Sequence, residues 1–168
     1  MKGKVYFKED QTFVGTWMWY LVIVMMVFAM LGASIPLLLK GATESIVGMT
    51  IVALLSFGLL FLMHQSRLYV SIDPKGLYYR FPPFVSQERK LTLGDLSEIY
   101  VRKYRPLWEY GGWGYRYRFR AGRALSVNGN TGLQLVLKNG KRLLIGTQRP
   151  EAMKHVVKRL KENGGLNG

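Results

Sequence analysis

Residues 17–39 carry no charged side chain, and residues 46–63 repeat the pattern after only six positions, Lys40 to Ser45. As a helix the first run covers roughly 34 Å at 1.5 Å per residue, against a bilayer core ~30 Å thick. The second run has 18 positions, near the lower limit for a span. A link that short makes two such helices antiparallel. A secretory signal is the rival reading of the first run. Its apolar core would be only ~7–15 residues long, and here a second apolar run follows at once. A buried helix pair in a soluble protein would need a polar face, which neither run has.

The flanks set an orientation. Lys2, Lys4 and Lys8 precede the first run, and His64 and Arg67 follow the second, while the link holds Lys40 offset by Glu44. The positive-inside rule then places both termini in the cytoplasm, as in a multi-pass protein of the inner membrane. Trp17, Trp19 and Tyr20 fall where a cytoplasmic aromatic belt would lie. No ionisable group interrupts either run, which argues against an ion or proton path through this hairpin alone. Ala29, Gly32 and Ala33 opposite Gly48, Ala53 and Ser56 either let the helices approach closely or reflect the ordinary composition of membrane helices.

Charge divides the chain as sharply as hydropathy does. The formal net charge is +14, yet residues 1–63 hold four Lys/Arg and three Asp/Glu, against 20 and seven in residues 64–168. Three segments follow: a basic, aromatic N-terminus over 1–16, a transmembrane hairpin over 17–63 and a cationic domain over 64–168. The absence of cysteine excludes disulfides and thiolate chemistry.

The cationic domain reads as β structure. Strands are expected at 68–72 and 77–81 around the turn Asp73-Pro74-Lys75-Gly76, at 87–93, at 96–104 and from Tyr115. A hairpin over 133–145 carries Asn139-Gly140 at its tip. A final helix begins near Pro150 and Glu151, with Met153, Val156, Val157 and Leu160 on one stripe. About seven antiparallel strands therefore precede one amphipathic helix. A small barrel capped by a C-terminal helix, the pleckstrin-homology (PH) architecture, satisfies that order.

The stretches "RPLWEYGGWGYR" (105–116) and "VNGNTGLQLVLKNGKRLLIGTQRPE" (127–151) resemble bacterial membrane-anchored PH-like domain proteins. The resemblance covers nearly the whole chain and implies two N-terminal transmembrane helices carrying one cytoplasmic PH-like domain. It implies no catalytic residues and does not choose a ligand.

Chemistry-bearing motifs are sparse. His64 and His155 are far apart, the acids are scattered, and Gly111-Gly112-Trp113-Gly114 lacks the lysine and hydroxyl of a phosphate loop. The expected protein is no enzyme and needs no metal or cofactor. What remains is a basic constellation: Arg102, Lys103, Arg105, Arg116, Arg118, Arg120 and Arg123. From Tyr115 to Arg120 aromatic and arginine alternate, so a strand would set Tyr115, Tyr117 and Phe119 on one face and the arginines on the other. One expectation packs the aromatic face inward and turns the arginines toward phosphate. The other lets them solvate an exposed sheet. Trp108 and Trp113 are expected at the membrane interface. The partners implied are anionic lipid head groups or a membrane-near protein, with an accessory subunit of a larger membrane complex as the alternative. Membrane anchorage argues against nucleic acid.

Overall fold

The computed structural model describes residues 5–40 and 42–164. Two compact units divide them: Thr12–Ser66, and a second unit that joins the chain through Gln11 to everything from Arg67 onward. The units thus meet at Thr12 and Arg67, where the sequence pattern had marked 17 and 64.

The inserted unit is helical. α1 (Trp17–Lys40) and α2 (Ala42–Gln65) pack against each other. Both run further than the apolar stretches do, so helix replaces most of the expected 40–45 link, and residue 41 lies outside the described residues. The hydroxyl of Thr16 accepts the Trp19 amide at 3.4 Å, which helps start α1. Phe28, Leu54, Leu55 and Phe57 all face outward. Ile46–Gln65 is long and apolar enough to cross a membrane, and Trp17–Gly32 is a shorter apolar stretch. A Cβ at Gly32 or Gly48 would meet no atom within 4 Å, so neither glycine marks a close helix crossing.

The second unit is mainly β. Nine strands among the described residues form two sheets. The first runs β1 (Phe7–Thr12), β2 (Arg67–Asp73), β3 (Gly76–Phe81) and β4 (Val85–Leu91) in that order. The second contains β5 (Leu96–Lys103), β6 (Gly114–Arg118), β7 (Gly122–Ser126), β8 (Thr131–Leu137) and β9 (Arg142–Gly146), ordered β5-β8-β9-β7-β6. Nine strands replace the expected seven, and not all neighbours are antiparallel, because β7 lies parallel to β9.

β1 ties the N-terminal segment into the sheet. Its alternation buries Phe7, Glu9 and Gln11. Glu9, only 6% exposed, accepts the Thr147 hydroxyl at 2.6 Å and the Gln148 amide at 2.8 Å. Gln11 donates to the Gly146 carbonyl at 2.8 Å. From residue 7 onward the basic, aromatic N-terminal segment therefore supplies a strand of the sheet.

The core is built from alternate residues of both sheets, Leu68, Ile72, Leu77 and Phe81 from the first and Ile99, Leu125, Leu133, Leu135 and Ile145 from the second. α3 (Pro150–Gly164) buries the stripe read from the sequence, Met153, Val156, Val157 and Leu160, against β5 and β8. Each such side chain contributes roughly 1.5–3 kcal/mol.

Candidate anion-binding face

Strand register decides what each arginine can do. Arg116 lies opposite Ala124 and Arg118 opposite Gly122, while Ala124 lies beside Leu144. These residues share the outer face of the second sheet. Tyr115 and Tyr117 pair with Leu125 and Arg123, on the inner face.

The outer face is not open. After β5 the chain forms a π-helical turn, Pro106–Tyr110, closed by Gly111 in the left-handed region (φ 75°). The amides of Gly111 and Gly112 bond the carbonyls of Leu107 and Pro106, each at 3.0 Å. This turn folds back over the sheet, and Tyr104 and Tyr110 are buried with Ala124 and Leu144. Their rings meet edge to face with centroids 6.0 Å apart.

Three of the arginines hold that turn in place. Arg102 pairs with Glu109 at 2.8 Å and donates to Gln134 at 3.1 Å. Arg116 donates to the Trp113 carbonyl at 3.0 Å, and Arg118 donates to the Trp108 carbonyl. Trp113 donates its indole N–H to the Gly129 carbonyl at 2.8 Å. Arg102, Arg116 and Arg118 thus staple a loop to the sheet. Lys103, Arg105, Arg120 and Arg123 are exposed.

The aromatic face is not a core face either. Tyr115 is half-buried and stacks on Phe84 with centroids 5.9 Å apart. Tyr117 is 66% exposed and Phe119 90%, since β6 ends at Arg118 and Phe119 sits in the turn to β7. Leu107 and Trp108, at the crest of the π-helical turn, are 62% and 80% exposed. Apolar side chains therefore stand out among Arg105, Arg118 and Arg120. Trp17 and Tyr20 are exposed in the first turn of α1, with Trp19 half-buried.

On the inner side, the gap between β3–β4 and the β6–β7 hairpin encloses about 650 Å³, lined among others by Tyr79, Tyr117, Phe119, Arg120, Arg123 and Lys141. A second cavity of about 510 Å³ shares Tyr79, Arg123 and Leu143 with it and adds Arg89. Arg89 and Lys141 escaped the sequence reading because each sits in an unremarkable polar stretch. Among the described residues no three His, Cys, Asp or Glu come together.

Glu109 gives the loop a pH dependence. Burial pushes its pKa up, but the Arg102 guanidinium, the Arg105 amide and the charges of both arginines outweigh this and hold it low. A carboxylate with a depressed folded pKa stabilises fully above its unfolded value, and that stabilisation is lost as pH falls through the folded value. Protection of the Gly111 and Gly112 amides, taken relative to their intrinsic exchange at each pH, should therefore fall in acid, below the ordinary glutamate range. In Glu109→Gln it should be low at all pH values with no acid step.

No protein-family model matches the chain, and no curated protein matches it.

Proposed function

We propose that this chain is a membrane-anchored binding protein, in which a two-span helical hairpin tethers a cytoplasmic PH-like domain that docks on anionic lipid head groups and performs no catalysis. The observation that carries the anchor is the place of the hairpin in the chain. It is inserted between β1 and β2, neighbours in one sheet. A single crossing between them would leave adjacent strands on opposite sides of a bilayer. If Ile46–Gln65 crosses, α1 must cross too. Support for the PH-like reading comes from two sheets sharing a core with one amphipathic C-terminal helix.

Lipid docking is supported by the crest of the π-helical turn. Exposed tryptophan and leucine beside arginines suit the interfacial zone of a membrane. Each arginine near an anionic leaflet contributes about 1 kcal/mol, so a few of them are enough to orient a tethered domain. The test is hydrogen exchange of the full chain in nanodiscs. Residues 105–112 should gain protection in phosphatidylglycerol but not in phosphatidylcholine, and the gain should vanish in Leu107→Ser/Trp108→Ser and in high salt. Equal exchange in both lipids would refute docking.

The outward apolar surface of the hairpin favours a second reading, an accessory subunit whose helices pack on those of a larger complex. Purification in mild detergent separates the two: a defined co-purifying complex supports the subunit, and an isolated particle opposes it.

A further inference from the structure

We propose that the groove between β3–β4 and the β6–β7 hairpin is a discrete binding site for a phosphate ester carried on an apolar or aromatic body. The site deepens the head-group reading by naming a ligand class, and only its membrane source rests on that reading.

Arg123 is the first observation. It stands on the inner face of β7, two residues from Leu125, which is buried in the core, and its strand neighbours are Tyr117 and Leu143. Alternation gives that position to an apolar side chain. The Arg123 side chain reaches solvent, but from that position it lines both cavities on the inner side of the sheet.

The second observation is the missing counter-charge. Arg120, Arg123 and Lys141 line the first cavity and Arg89 and Arg123 the adjoining one, and no aspartate or glutamate lines either. None of the four forms an ion pair among the described residues, whereas Arg102 does. Cations gathered around one concavity raise its potential and draw anions into it. A guanidinium matches phosphate oxygens with two parallel N–H bonds.

The third is Tyr79, which faces Arg89 in the strand register and lines both cavities. Burial raises its pKa, and Arg123 and Arg89 only partly offset this. The phenol therefore stays protonated and offers an O–H to a ligand oxygen. Phe119, Leu91 and Leu137 supply apolar wall beside the cations. The volume of about 650 Å³ falls inside the ~300–1,000 Å³ of small-molecule sites. The wall is also firmly placed. A Cβ at Gly122 would come within 2.3 Å of the Arg142 carbonyl oxygen, so the hairpin sits hard against β9.

The test titrates full-length protein, in phosphatidylcholine nanodiscs, with phenyl phosphate in one arm and dihexanoyl phosphatidylglycerol in the other. Saturable binding in either arm is expected, and the arm that binds tells a soluble ester from a lipid head group. Arg120→Gln/Arg123→Gln should weaken it at least 10-fold. Lys141→Gln, in the exposed β8–β9 turn, should weaken it about 3-fold, which guards against a folding defect in the double variant. Lys158→Gln/Lys161→Gln removes the same charge from α3 and should change nothing. No saturable binding in either arm, or an equal loss in the α3 variant, overturns the site. Protection of residues 105–112 in anionic nanodiscs is scored separately, so the groove and the docking crest can fail independently.

Discussion

A chain in which residues 13–66 are replaced by a Gly/Ser linker is expected to fold and stay soluble without detergent, while a chain that starts at Arg67 aggregates. Most of the apolar surface left facing outward belongs to α1 and α2, so excising them removes the cause of insolubility. The linker need only join the end of β1 to the start of β2, neighbouring strands. About 10 residues reach up to ~33 Å, further than either strand is long. Starting at Arg67 does something different. It uncovers the edge of β2, and an unpaired edge templates association. It also removes Glu9 and Gln11, leaving the Thr147 hydroxyl, the Gln148 amide and the Gly146 carbonyl without their partners. Each orphaned buried group costs about 1–3 kcal/mol, and the lost burial of Phe7 adds to this. A domain whose total stability is of the order of 5–15 kcal/mol does not survive that loss comfortably. Size-exclusion chromatography and thermal unfolding of the two chains decide the matter. A soluble, cooperatively folding chain from Arg67 would show that β1 is dispensable.

The same strand explains where sequence reading stopped. β1 reads Phe-Lys-Glu-Asp-Gln-Thr, and its inward positions include a glutamate and a glutamine. A search for alternating apolar residues passes over it, because its burial depends on partners more than a hundred residues away. β7 is hidden for another reason. Ala124 lies under the π-helical turn and Leu125 in the core, so the strand is covered on both faces and has no polar alternation to reveal it. It also follows a run of arginines that draws attention to charge. α3 and the β8–β9 hairpin were legible because their signals are local: a 3.6-residue stripe in one, Asn-Gly between apolar strands in the other. The alternation sorts Tyr115 and Tyr117 from Arg116 and Arg118 as expected, but Phe119 and Arg120 fall in the turn beyond β6, and Arg120 lines the inner groove beside Tyr117 and Phe119. What covers each face could not be read, since that depends on strands paired later and on a loop that folds back. Arg102, Arg116 and Arg118 look alike in sequence to Arg120 and Arg123. Only the register separates the staples from the groove.

Single cysteines should report an all-or-none topology. The chain has no cysteine, so each substitution is read without background. Asp10→Cys on β1 and Lys138→Cys in the β8–β9 turn, both exposed, should react with a membrane-impermeant maleimide in inside-out vesicles and not in intact cells. Thr43→Cys, at the start of α2, should show the reverse. Positions 10 and 138 must agree with each other, because β1 belongs to the same compact unit as β8 and β9. That agreement is fixed by the fold, whereas the side on which they react is fixed by charge. In the proposed topology Lys8 and Arg67 flank the hairpin on one side and Lys40 offset by Glu44 sits on the other, a bias that would hold the basic ends in the cytoplasm. Reaction at all three positions from one side would mean that the helices lie along the membrane or against another protein without crossing. Reaction of positions 10 and 138 from outside the cell would put the arginine-rich domain away from the anionic cytoplasmic leaflet, and the electrostatic case for docking would fall with it.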